Sequence, residues 1–287
     1  VRWAAFGALA CSASSCLVVQ DLGDDRARGA GGSAAAAAGD AEPLSSGDFS
    51  CVGHVVFEPP AFHSIGTLLR VGLWGHFGDE STEFVASPAV PDATVRVCAA
   101  GDLECAAPLS TQTTGPDGRV ALSLTLEPPR GFFGYLEIYK SSAPIENLRF
   151  FVPPIRAMRN DTAAFALPRA EANLAYQAIG ESVDPKSALG AIAVDVVDCL
   201  GHHADRMVVE LDGQAPPTRT VYFDGVTPSA ARVSTDTRGL AFVALVGSGK
   251  RVLRARTGGR EVAAVELGVR GGAITTLTLP PTPSWPW

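Results

Sequence analysis

At 287 residues, with 46% hydrophobic and 18% charged side chains, the chain is long enough for two ordinary domains and apolar enough to give each a core. Its formal net charge is -7 and its lysines and arginines do not cluster, which excludes nucleic acid as a partner because phosphate recognition rests on clustered cations.

In chain order, Arg2 and the apolar run Trp3 to Ala10 lead to Cys11 and Cys16, the order of an export signal with a lipid-attachment cysteine. Extending the apolar segment to Ala13 gives it an ordinary length and places Ser14-Ser15 before Cys16, the expected lipidation site. Cys11, preceded by Leu9-Ala10, is the alternative. The run is far short of the ~20 apolar residues that cross a bilayer, so residues 1–16 read as signal peptide and lipobox and not as a span. Residues 17–47 carry Asp21, Asp24, Asp25, Arg26 and Arg28, then an almost pure Gly/Ala stretch, and are expected to be a disordered tether. Such a leash holds a folded body on the order of 30 Å from its anchor. The expected location is exported: outer membrane, cell surface or periplasm, with the membrane a partner through the lipid.

Period-two alternation follows. Val120, Leu122, Leu124 and Leu126 fall on one face and Ala121, Ser123 and Thr125 on the other. Similar patterns occupy Cys51–Phe57, Thr67–Trp74, Thr94–Ala99, Tyr135–Tyr139 and Leu148–Val152, separated by Gly and Pro, and residues 48–156 therefore predict a β-sandwich. Ala170, Leu174 and Ala178 recur at helical spacing, which predicts a short helix in a connector over 157–188. Residues 189–280 read as a second, divergent sandwich and 281–287 as a Pro/Trp tail. The expected class is all-β: two antiparallel Greek-key-like sandwiches joined by a short helical connector.

The halves repeat. Thr113-Thr114-Gly115-Pro116-Asp117-Gly118 before an alternating strand matches Ser234-Thr235-Asp236-Thr237-Arg238-Gly239 before another, at an offset of 121 (234 − 113). A further strand follows in each, Gly134–Tyr139 and Arg251–Arg256.

Val90-Pro91-Asp92-Ala93-Thr94-Val95-Arg96-Val97, then Thr113 to Gly118, then Gly134-Tyr135-Leu136-Glu137-Ile138, resembles the carboxypeptidase-regulatory-like domain. The resemblance implies a seven-stranded transthyretin-like sandwich acting as an extracytoplasmic accessory or binding module, without peptidase activity. In the second half only the turn and its strand keep the pattern, and His203-Ala204-Asp205-Arg206 replaces the usual Gly/Pro-rich lead.

Beyond Cys11 and Cys16 four cysteines remain, which allow three pairings. Cys98 and Cys105 flank a short loop that a bridge would close as a hairpin. Cys51 and Cys199 would then meet across the halves or stay as buried thiols. Cys98 and Cys105 lack zinc-ligand spacing, and His202-His203 reads as a solvated turn, so no metal is expected. Gly247-Ser248-Gly249-Lys250 lacks the upstream glycine of a phosphate loop and reads as a hairpin. With no catalytic motif found, no catalytic residue and no cofactor are expected. Trp74, His76 and Phe77 form the candidate ligand-binding group, since exposed aromatic rings stack on sugar faces. The expected role is non-catalytic binding, adhesion or scaffolding, with an envelope protein or polysaccharide as partner. A carbohydrate-binding module, or a hydrolase with dispersed residues, is the alternative.

Overall fold

Branched and small residues alternating between polar turns give fifteen strands and one helix among the described residues. The computed structural model describes residues 44–53, 64–73, 88–125, 131–141, 145–152, 162–182, 184, 187–214, 216–225 and 227–282. The first half comprises β1 (Ser64–Leu73), β2 (Thr94–Ala99), β3 (Ser110–Thr113), β4 (Arg119–Thr125), β5 (Gly134–Lys140), β6 (Ile145–Phe150) and β7 (Thr162–Ala166). After α1 (Arg169–Gln177) come β8 (Leu189–Val196), β9 (Val208–Leu211), β10 (Arg219–Asp224), β11 (Thr227–Ser229), β12 (Leu240–Gly247), β13 (Gly249–Thr257), β14 (Arg260–Val269) and β15 (Ile274–Leu279).

Nine strands form one sheet in the order β11-β10-β12-β8-β15-β6-β5-β2-β3, flanked by two three-stranded sheets, β4-β1-β7 and β14-β13-β9. Period two decides which face each residue serves. Along β5, Leu136 and Ile138 meet Leu69, Val71, Val120 and Leu122 in a core beneath β4-β1-β7. Tyr135 points the other way and, with Leu148 and Phe150, joins Ile192, Val194, Leu253 and Val265 beneath β14-β13-β9. The two small sheets therefore cover opposite faces of the large one. The helix α1 lays Ala172, Ala175 and Tyr176 on Ala191, Ala193 and Phe242, with the Tyr176 ring edge-on to Phe242 at 5.5 Å.

The seam between the halves is built into the sheet. β15 pairs in parallel with β6, from Ile274↔Asn147 to Thr276↔Arg149, and with β8 on its other side. Arg270 clamps the seam from the second half, reaching Glu137 at 2.5 Å and Glu146 at 3.1 Å. Leu103 packs against Gly268, and Tyr135 stacks on Phe150 at 4.9 Å. The Tyr135 hydroxyl donates to the Asp102 and Leu103 carbonyls, and burial pushes its pKa up to about 12.

Three features depart from the sequence reading. The sheets are mixed, since β1–β7, β8–β15 and β6–β15 are parallel pairs. Alternation reports which face a residue takes and carries no strand direction, and a strand that returns from the opposite sheet arrives parallel to its neighbour. The span read as a connector contains β7, which completes the first small sheet. Finally, Ser45 to Gly47, expected in the disordered tether, and Asp48 to Cys51, expected in the first sandwich, are bonded to the second half. Ser45 N donates to the Thr257 hydroxyl, Cys199 N to Asp48 O, and Phe49 and Val52 pack against the second core.

Candidate functional site

Each half holds the same buried turn. The Thr114 hydroxyl accepts from Ala93 N at 2.9 Å and donates to Val90 O at 2.6 Å. The Thr235 hydroxyl accepts from Met207 N at 2.9 Å and donates to Ala204 O at 2.7 Å. Gly118 and Gly239 close the turns at φ 73° and 66°, and their carbonyls accept from Val71 N and Val196 N, both at 2.9 Å. Asp92 and Arg206, the only described pair of non-glycine residues flanking these threonine bonds at positive φ, sit at 54° and 53°. The backbone frame is thus common to both halves, and side chains alone distinguish them.

In the second half that frame is decorated with charge. A cleft of about 360 Å³ opens over it, lined by Arg206, Asp224, Arg232, Asp236 and Arg238 with Asp205 and Thr237. The β10–β11 hairpin supplies one wall. Most of the carboxylates are already engaged. Asp236 accepts from Gly225 N at 2.8 Å and Arg238 N at 3.0 Å, while Asp205 accepts from Ser45 and Ser46. Burial raises the Asp205 pKa, but the serine bonds and Arg206 outweigh it and hold the carboxyl below its ordinary value. Arg232 pairs with the exposed Asp224 at 3.1 Å. The Arg238 guanidinium lines the cleft with its Nη1 sheltered from water and without a hydrogen-bond partner among the described residues. A buried unpaired donor costs about 1–3 kcal/mol, and the first half builds the same turn with Pro116-Asp117, so the fold does not require this arginine.

Beside the cleft, His203 Nδ1 lies 2.8 Å from Asp195 Oδ1. Burial raises the Asp195 pKa, with the His203 ring and the Arg149 charge pulling against it. The bond to Asp195 raises the His203 pKa in turn. Arg149 donates to the Thr278 hydroxyl at 3.0 Å, and burial pulls its guanidinium down to about 10, still charged at neutral pH. The Asp195 carboxylate is thus shared between the exposed His203 ring and the Arg149 charge, which reaches the seam strand β15 at Thr278.

The cysteines pair as Cys98–Cys105 and Cys51–Cys199. The short bridge is buried in the second core and holds the Asp102–Cys105 loop under Tyr135. The long bridge encloses the whole first repeat. His202 is at the exposed end of a turn whose backbone is held by Asp198, whereas His203 is drawn to Asp195. Among the described residues, no group of three or more His, Cys, Asp or Glu side chains is arranged to hold a metal ion. Trp74, His76 and Phe77, and the lipidation candidates Cys16 and Cys11, lie outside the described residues. Arg206, Arg232 and Arg238 belong to no motif that marks them as site residues. The signal is present where Asp205-Arg206 and Thr237-Arg238 replace Pro91-Asp92 and Pro116-Asp117 within an otherwise repeated pattern.

No family model matches the chain, and no curated protein matches it. Among solved structures it is similar to the Bacillus anthracis TIE protein at 12% identity and a TM-score of 0.25, covering 76% of this chain and 34% of that one. This chain thus spans about a third of that protein. It is also similar to shaft pilin SpaA from Lactobacillus rhamnosus GG, at 9% identity and a TM-score of 0.25 over 78% of this chain and 100% of that one. The Streptococcal ancillary pilin is similar at 12% identity and a TM-score of 0.22 over 76% and 68%. At these scores the likenesses carry no argument about function. Among the described residues no helix is long and apolar enough to cross a membrane.

Proposed function

We propose that this chain is a non-catalytic exported protein of the cell envelope, two transthyretin-like sandwich repeats fused into one rigid body that binds or scaffolds envelope components. Its first repeat runs from β1 to β7 and its second from β8 to the cap at Thr282, and Cys16 anchors it to lipid through the tether that precedes Leu44. The observation that carries the reading is the Cys51–Cys199 cystine. It fastens the segment that leads toward β1 to the second repeat over a sequence separation of 148 residues. Such bridges form and persist in oxidising compartments. A body locked in this way, with a sheet continuous across its repeats, holds two ends at a fixed spacing, which suits a scaffold.

The cleft favours a second, compatible reading, a carbohydrate-binding role. Arg238 gains a partner there from an acidic sugar, and the exposed Asp224 accepts hydroxyls. A hydrolase would need a nucleophile on His203, and among the described residues no hydrogen bond ties a serine, threonine or cysteine to it.

Co-sedimentation of the oxidised chain with isolated envelope polysaccharide, beside Trp74→Ala and Arg238→Gln, tests the binding reading. Saturable binding reduced at least tenfold by either substitution supports it and assigns the surface. The absence of saturable binding, to polysaccharide and to solubilised envelope proteins alike, contradicts it.

A further inference from the structure

The same stretch of chain treats the same strand edge in opposite ways in the two repeats. Aligning β9 with β2 and β13 with β5 through their registers sets Ala255 where Ile138 stands, and therefore Ala263 where Asn147 stands. In the first repeat the edge of β6 from Asn147 to Arg149 is occupied by β15 in parallel. The segment leaving β7 holds β6 by a side chain only. Leu167 N donates to Asn147 Oδ1 at 3.1 Å, and Asn147 Nδ2 donates to Leu167 O at 3.0 Å.

In the second repeat the corresponding segment lies on the strand backbone itself. Thr282 N donates to Val262 O at 3.1 Å, and the Thr282 hydroxyl accepts from Ala264 N and donates to Ala264 O, both at 3.2 Å. Leu167 and Thr282 are counterparts. Thr162 pairs with Leu69 and Leu277 with Val194, at equivalent places on β1 and β8, and each residue lies five further on (167 − 162 and 282 − 277). Where a neighbouring strand is present, this segment clears the edge. Where the described residues supply none, it covers the edge, with Thr282 only 4% exposed.

We propose that the β14 edge at Val262–Ala264 is a strand-docking surface for a second copy of this chain, and that Pro280–Thr282 is its displaceable cap. The β6–β15 junction supplies the template, a strand of one repeat laid in parallel on this edge of the other. The incoming strand is β7, the first-repeat counterpart of β15, since each pairs in parallel with the equivalent strand of its own sheet. An uncovered edge of N–H and C=O groups is a ready acceptor for such a strand. The contact is heterologous, joining β14 of one copy to β7 of the next, so it propagates head to tail. The inference does not depend on whether the cleft takes a ligand.

Sedimentation velocity of the oxidised full chain over a concentration series tests it, with Thr282→Pro, which lacks both the N–H and the hydroxyl, and Thr282→Val, which lacks the hydroxyl alone. The wild type is expected to stay monomeric. Thr282→Pro is expected to form an open series of dimers, trimers and larger species, with half-assembly at a concentration at least tenfold below that of Thr282→Val. Amide exchange in the assembled fraction then slows at both Val262–Ala264 and Thr162–Ala166. Natively folded variants that remain monomeric, a closed dimer without larger species, or a wild type that assembles as readily as the variants overturns the proposal. If Thr282→Pro does not fold, Thr282→Val is judged against the wild type by the same readouts.

Discussion

Thr114 and Thr235, 121 positions apart (235 − 114), make the same pair of hydrogen bonds to the same two backbone positions of their repeats. Both are fully or almost fully buried. A buried hydroxyl that accepts from one segment and donates to another replaces a ladder where the chain turns from sheet to sheet, and losing it strands two backbone groups.

Thr235→Val keeps the shape and removes both bonds, leaving Met207 N–H and Ala204 C=O unpaired. The expected loss is about 2–4 kcal/mol from two orphaned buried groups, with Thr235→Ser recovering most of it, as read by urea denaturation. Thr114→Val behaves alike if the two turns are energetically as well as geometrically equivalent.

The turn glycines separate steric need from conformational need. Gly213 and Gly239 have similar φ, 68° and 66°, but a Cβ on Gly213 meets open space while one on Gly239 runs into Val196 O and comes within 3.1 Å of Ala204 N. Gly213→Ala is expected to cost about 1–2 kcal/mol, the price of the left-handed region. Gly239→Ala costs at least about 2 kcal/mol more, since backbone has to move. Equal losses in thermal unfolding would contradict the packing argument.

The cystines differ in what they restrain. By loop entropy the 148-residue separation of Cys51 and Cys199 corresponds to about 5 kcal/mol, and the 7-residue separation of Cys98 and Cys105 to about 2 kcal/mol. Cys199→Ser should therefore lower the denaturation midpoint more than Cys105→Ser. The reverse order would mean that the Asp102–Cys105 loop contributes more through its place in the core than the long bridge does through the unfolded chain.

Stability should also fall as pH rises above the ordinary histidine value. The Asp195 bond raises the folded pKa of His203 above its ordinary value near 6.5. The stability from this pair is fully present below that value and is lost as pH rises through the higher folded value. His203→Gln should flatten the slope of unfolding free energy above pH 6.5. An unchanged slope would assign it to other groups.

Much of the strand content was legible because alternation is local. Thr94–Ala99 is β2 to the residue, and the matched turns of the two halves are one frame at atomic detail. What was hidden depends on chain segments meeting at a distance. Nothing in Ile145–Phe150 announces a parallel neighbour 127 residues later (274 − 147), because the pairing uses backbone and leaves no side-chain pattern. Nor did β7, five residues rich in alanine, stand out from a helical connector, since Thr-Ala-Ala-Phe-Ala fits either period. The cleft was legible only by difference, where charge entered a repeated frame that folds without it.

Native-state hydrogen exchange on the oxidised chain tests the fusion of the two repeats most directly. One global opening is expected, with the slowest amides of β5 and β13 reporting the same free energy and the same denaturant dependence. If β2 and β5 open at a distinctly lower free energy while β13 and β14 stay protected, the repeats are separate folding units, and the shared sheet does not make them one body.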